Sequence, residues 1–456
     1  MTTLTMEGVL ALAPDESSAK AARGLLGANG WPLLGASDAA VWGECQGSGS
    51  KPYQTQVDLA GPAFRCSCPS RKFPCKHGLA LLLIRVQRPE SFGATEPPAW
   101  VAEWLASRSE KAQKKEEKQQ AALEKANAPA DPAAAAATAA KREAQRWQRI
   151  TDASLDLQRW LADQLARGLG ALNGESLKAW HTMAARLVDA QAPGLAQRVR
   201  DAAAGVHDGA DWPERTLQRL GRLQLACEAL QRRDALDAEL QAELRNLVGW
   251  PWDKLEVIAA SPRVDDDWRV LGVIAEERDE KLVERRVWLH GERSGRRAWL
   301  LDHAFGGRGF EQSFVAGSRV RAGLHFYPGT ASLRALVADG AALADGAAPW
   351  PRPALADEWR GMAQRVAANP WTWLHPIVVD AAVLARDGAA WVLHVEGQVL
   401  PASLSDAEGW ALLAAQGGAP LRLIGEWDGR ALRPLTAIDA AVDGAHAVVW
   451  QCGAAA

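Results

Sequence analysis

Two short pairs, Cys66-x-Cys68 and Cys75-x-His77, constrain this chain more than any other feature. Three thiolates and one imidazole are the donor set of a closed tetrahedral zinc site. In an extended strand, residues two apart point to the same side, so Cys66 and Cys68 can face one ion. Ala63 to Cys68 is read as that strand. Pro69 and Pro74 stiffen the segment that returns the second pair to the first. After His77, Gly78-Leu79-Ala80-Leu81-Leu82-Leu83-Ile84 predicts the start of a buried helix running to about Val86 and ending before Pro89. Four protein ligands leave no position for water or substrate. One zinc ion per chain is therefore expected, with a folding role.

The other cysteines fit this reading. Cys45, Cys227 and Cys452 are scattered, whereas three of the six fall within one short stretch. In a reducing compartment such a cluster points to a metal rather than a disulfide framework. Cys227 lies in an apolar helical run and reads as core. Cys45 is near enough in sequence to approach the site, but four ligands are already supplied.

On these residues the stretch resembles the SWIM zinc finger: Cys-x-Cys, a variable insert, then Cys-x-His, on a β-β-α framework. The likeness extends to the segment from Val41-Trp42-Gly43-Glu44-Cys45 to Lys51-Pro52-Tyr53 and to Cys68-Pro69-Ser70-Arg71-Lys72-Phe73-Pro74-Cys75-Lys76-His77. Arg286-Val287-Trp288-Leu289 and Phe326-Tyr327-Pro328-Gly329 look like later parts of bacterial SWIM zinc finger family proteins. The resemblance implies a finger at about 53–88 that binds DNA or other proteins. Because bacterial relatives are often encoded beside MoxR-type AAA+ ATPases, it also implies such a machine as a candidate protein partner.

A chain of 456 residues is too long for one ordinary domain. The expected fold class is multidomain α+β: an N-terminal β-β-α finger, a central helical bundle and a C-terminal, mostly antiparallel β and α+β region. The N-terminal domain is placed at 1–106. Residues 18–34 read as helix and loop, and three strands follow at Trp42–Cys45, Tyr53–Leu59 and Ala63–Cys68. Pro97-Pro98 opens a short helix carrying Trp100, Trp104 and Leu105. Residues 107–146, charged and then rich in alanine and proline, read as a solvated helix feeding a flexible linker. A basic arm is disfavoured because Glu110, Glu116, Glu117 and Glu124 offset most of the lysines.

Residues 147–248 repeat with a helical period. Leu157, Trp160, Leu161, Leu165, Leu169 and Leu172 form one stripe; Leu177, Trp180, Ala184, Leu187 and Val188 form another. Four or five helices are expected. The period then shifts toward two, as in Val320, Ala322, Leu324 and Phe326 or Trp391, Leu393 and Val395. This places a β-rich domain at 255–345. A C-terminal α+β domain at 351–456 opens with a helix over Pro353–Ala368 and has another at 405–415.

A formal net charge of −3 excludes a polycation, so any basic surface is local. Residues 61–88 supply one: Arg65, Arg71, Lys72, Lys76, Arg85 and Arg88, with no acid. Some of this charge can offset a negative zinc–thiolate centre. The remainder forms either a phosphate-docking patch, with Arg65, Arg71, Lys72 and Lys76 as its candidate residues, or a solvated rim. Twenty-one tryptophans mostly occupy core positions; Trp371-Thr372-Trp373, read as two indoles on one strand face, is the exception. Gly306-Gly307-Arg308-Gly309 lacks the lysine and serine of a phosphate loop. Asp302, His303 and His325 have no nucleophile in useful spacing. The expectation is a non-catalytic, cytoplasmic zinc protein with no membrane span and no small-molecule substrate. Its partner is DNA or a protein; an enzyme in the C-terminal β region ranks last.

Overall fold

The computed structural model describes residues 6–453 apart from 11, 14–15, 28–29, 48, 50, 60–62, 71–73, 94–95, 111–131, 280–281, 306–309, 311, 339, 345–348 and 440–446. The N-terminal part opens with α1 (Met6–Leu10) and α2 (Glu16–Arg23). A four-stranded antiparallel sheet follows, in the order β1 (Leu33–Ala36), β2 (Ala40–Cys45), β3 (Tyr53–Asp58), β4 (Ala63–Cys66). The β-β-α framework is therefore extended by two strands. The first begins at the last two residues of the stretch read as helix and loop, 18–34, and β4 stops at Cys66, so Cys68 belongs to the following loop.

Alternation sorts the sheet into two faces. Val41, Cys45, Val57 and Phe64 join the core beneath α3 (Lys76–Gln87). Residues 79–84 of that helix are buried throughout, because α1 and α2 close over it from the other side. Trp42 faces the opposite way, onto Val101 of α4, a helix over 99–110. Two glycines permit this packing. A Cβ on Gly35 would lie 2.3 Å from the Trp42 indole, and one on Gly78 would lie 2.8 Å from the Phe64 ring.

The alanine-rich segment read as flexible linker is helical from Pro132 onward: α5 runs Pro132–Arg167 without a break. Alanine is the best helix former, so a low-complexity alanine run extends a helix readily. It packs with α6 (Gly174–Asp189), α7 (Pro193–Ala204), α8 (Trp212–Gln231) and α9 (Ala238–Leu247) around Leu157, Leu161, Trp180, Leu187, Leu195 and Leu223. Trp160 is partly buried against this core, whereas Leu165 and Val188, expected in the stripes, are 46% and 42% exposed.

After α10 (Lys254–Ala260) come β5 (Val264–Asp279), β6 (Leu282–Gly291), β7 (Arg297–Phe305), β8 (Arg319–Phe326), β9 (Ala335–Val337) and β10 (Ala342–Leu343). They form a six-stranded sheet ordered β10-β8-β5-β6-β7, with β9 on β8. Val320, Ala322, Leu324 and Phe326 all enter its core, as their spacing predicts. The next elements are α11 (Leu355–Ala368), β11 (His375–Asp387), β12 (Ala390–Val395), β13 (Gln398–Ala402), α12 (Asp406–Gln416), β14 (Leu421–Trp427), β15 (Leu432–Asp439) and β16 (Val448–Gln451). Their sheet runs β13-β12-β11-β14-β15-β16.

The two large sheets share a core. Leu271, Ile274 and Trp288 of one meet Val378, Ile424 and Leu435 of the other. Inside that contact, buried Arg286 clamps buried Glu426 through Nε and Nη2 at 2.9 and 3.0 Å, and Trp288 Nε1 donates to the same carboxylate at 2.7 Å. Among the described residues no helix is long and apolar enough to cross a membrane.

Candidate metal centre

The four predicted ligands come from three adjacent pieces of chain. Cys66 ends β4, Cys68 lies just beyond it, Cys75 caps the N-terminus of α3, and His77 sits in that helix's first turn. Their donor atoms all lie within 4.8 Å of one another. Cys75 and His77 are buried, and Cys66 and Cys68 are half-buried.

The surroundings hold these donors in place. Antiparallel register sets Thr55 opposite Cys66, and Thr55 Oγ1 lies 3.0 Å from the Cys66 sulfur. Cys66 Sγ is 3.7 Å from His77 Nδ1. The Tyr53 ring packs on the His77 imidazole with centroids 5.0 Å apart. Backbone N–H groups of Cys68 and Ser70 face the sulfurs of Cys66 and Cys68 respectively. Such donors orient thiolates and offset their charge.

The thiols show why a cation belongs here. A hydrogen bond from Cys75, with further ones from His77 and Thr55, lowers the Cys66 pKa to about 4 against the cost of burial. That same bond pushes Cys75 up, and burial raises Cys68. Three packed sulfurs thus support one ready thiolate while resisting the next. A divalent ion removes that conflict, since a coordinating thiol is deprotonated outright. The cluster fits one structural zinc ion. Cys45 is buried beside it, its pKa raised to about 11 by burial and then by Cys66, but it lies outside the four-donor group.

The candidate cations are placed less uniformly. Arg65 pairs in register with Gln56, on the sheet face turned away from the sulfurs, and is exposed. Lys76 is exposed on the zinc side, where it lines a groove of about 590 Å³ with Ser17, Gln46, Tyr53, Pro69 and Ser70. Neither makes an ion pair among the described residues. Arg71 and Lys72 lie outside the described residues. Arg85 approaches the Phe92 ring, with Cζ 5.8 Å from its centroid, and Arg88 donates to the Leu26 carbonyl.

Other sequence candidates have structural roles. His325 Nδ1 lies 2.8 Å from the Ser261 carbonyl, Asp302 pairs with Arg285, and His303 Nε2 lies 3.6 Å from Glu284. Trp371 and Trp373 sit in the turn before β11, not on a strand. Trp371 plugs the bundle core and donates to the Arg222 carbonyl at 3.2 Å. Gly306–Gly309 fall outside the described residues. Sequence reasoning missed Thr55, Tyr53 and the groove against α2. The alternation of β3 opposite Cys66 is the signal that points to the first two.

Two family models match the chain. Residues 53–85 match the SWIM zinc finger, and residues 145–248 match the SWIM-associated four-helix bundle domain. No curated protein matches, and no solved structure matches.

Proposed function

We propose, from the premise that the chain is a SWIM zinc finger family protein, that its finger is a non-catalytic module docking the phosphate backbone of DNA. The observation carrying this reading is the edge strand β4. Arg65 projects from its outer face, and Lys76, at the start of α3, lies by the ligands on the other side, both exposed and neither in an ion pair among the described residues. Arg71 and Lys72 fall between the ligand pairs. Large exposed apolar side chains, by contrast, lie outside the finger among the described residues. Contacts of this kind position a phosphate backbone without reading base edges.

Binding is then weakly sequence-dependent and falls steeply with salt. Fluorescence anisotropy on a short duplex should show a log–log slope that shrinks by about 0.9 for each lost phosphate contact. Arg71→Ala, Lys72→Ala, Lys76→Ala should keep zinc and lose binding, and Arg65→Ala should weaken it separately. Wild type with no salt-dependent binding to duplex or single strands at low ionic strength rejects the reading.

The alternative, an adaptor for a protein such as an AAA+ ATPase, draws on another surface. Leu217 and Leu225 lie two turns apart on α8 and are 52% and 42% exposed. If Leu217→Gln with Leu225→Gln abolishes capture of a purified AAA+ partner while the finger variant does not, the bundle is the docking surface.

A further inference from the structure

Where the bundle meets the two large sheets, the chain encloses a cleft of about 340 Å³, within the range of small-molecule sites. Aromatic rings form its walls. Trp288 and Trp299 come from neighbouring strands with centroids 5.9 Å apart, Tyr327 follows β8, and Trp371 and Trp373 come from the turn before β11. Polar groups converge from separate elements, including Arg198 of α7 and Arg334 just before β9. The junction is tied together around them: Asn246 Nδ2 donates to the Pro328 carbonyl at 2.9 Å, and Thr330 N–H donates to Glu243 Oε1 at 2.9 Å.

Charge distinguishes this cleft. Arg286 on its wall is saturated by Glu426, Glu276 and Glu284. Arg198 instead gives Nη1 to two neutral carbonyls, Gly194 at 3.2 Å and Leu247 at 3.4 Å. Burial lowers its pKa to about 10, with Asp201 opposing the shift and Arg222 adding to it. Arg334 stacks on Tyr327, Cζ 4.2 Å from the ring centroid, and Arg222 stacks on Trp373 at 4.4 Å. Neither has an ion pair among the described residues. Arg222 stands outside the lining, on the Trp373 ring, so the lining itself sets Arg198 and Arg334 against one further carboxylate, Glu243, already engaged with Thr330. The lining therefore carries a positive excess of about one charge, with Arg222 adding to the field from behind Trp373, next to flat apolar walls. A phosphate monoester carries about 1.5 to 2 negative charges at neutral pH, and its charge-assisted bonds to arginine are strong.

We infer that this cleft binds a small aromatic dianion of the nucleoside monophosphate class, with its base against the indoles and its phosphate toward Arg198 and Arg334. Ser332 and Thr372, also on the lining, are placed to meet sugar hydroxyls. This site is separate from the finger.

Isothermal titration of the zinc-loaded full chain with AMP, GMP, CMP and UMP, and with inorganic phosphate and adenosine alone, tests it. At least one monophosphate should bind about tenfold or more tightly than phosphate or adenosine. Arg334→Gln should weaken it by about tenfold or more, the cost of one charge-assisted hydrogen bond, without moving the thermal midpoint. Trp373→Leu should weaken it and Trp373→Phe should restore it. The Lys76→Ala finger variant should bind as wild type does. Monophosphates binding no better than inorganic phosphate, or affinity indifferent to Arg334→Gln, overturns the assignment. Arg334 is half-exposed, so its variant decides the matter even if the tryptophan variants fail to fold.

Discussion

The finger and the paired C-terminal sheets both hold charge next to a core, and they neutralise it by opposite means. In the finger the buried charge is anionic sulfur, which a metal compensates, while Arg65 and Lys76 stay outside and unmatched. In the sheets the buried charge is guanidinium, matched inside the protein. Arg286 meets Glu426, and Arg297 Nη2 meets Glu358 at 2.9 Å, each pair buried or nearly so. A core neutralised from within needs nothing else. One that depends on an ion is only as stable as the ion's binding, and it leaves its surface cations available for a partner.

The largest effect separating the two regions should come from the ligands. Binding at structural zinc sites contributes folding free energy of about 10 kcal/mol or more. Cys75→Ser or His77→Ala should therefore lose the zinc and make residues 33–87 protease-sensitive, with the bundle still folded. Elemental analysis and limited proteolysis check this, and a resistant finger without zinc would erase the contrast. The next effect lies in the sheets. Glu426→Gln strips Arg286 and Trp288 of their shared partner, and breaking a buried pair costs about 3–5 kcal/mol. Glu276 and Glu284 also hold Arg286, so the lower end is expected in chemical denaturation. A Glu426→Gln protein as stable as wild type would mean the pair contributes nothing.

The ligand set was legible because its chemistry is local: four donors in two pairs at fixed spacing define the site before any fold is known. The bundle and the sheets were legible from their periods. Other features have no local signature. Strand β1 is only Leu33-Leu34-Gly35-Ala36, with no β-branched residue, and pairing with β2 makes it a strand. The helix from Pro132 was hidden by composition that suits a linker as well as a helix. Arg65 and Lys76 flank the same ligands in sequence, but Arg65 lies on the β4 face turned away from the sulfurs and Lys76 opens α3 beside them. The cleft was invisible because its walls come from residues as far apart as Arg198 and Trp373, joined only by packing.

A smaller effect concerns pH in the C-terminal half. Burial, then Arg365 and Arg222, hold the His375 pKa at about 4, against an ordinary value of 6.5. The unfolded chain therefore takes up this proton first. His375 leaves stability intact above about pH 6.5 and reduces it as pH falls toward 4. Stability measured against pH for wild type and His375→Gln should diverge in that window and run parallel above it. Parallel curves throughout would show that His375 charges freely in the folded protein.

The central claim, that an ion holds one region while the other is self-sufficient, is tested most directly by hydrogen exchange on the full chain before and after zinc chelation. The expected result is loss of amide protection across β1–β4 and the start of α3, with exchange in α6–α9 and in the shared core of the two large sheets unchanged. Unchanged protection in β3, β4 and α3 after the metal is gone would contradict it.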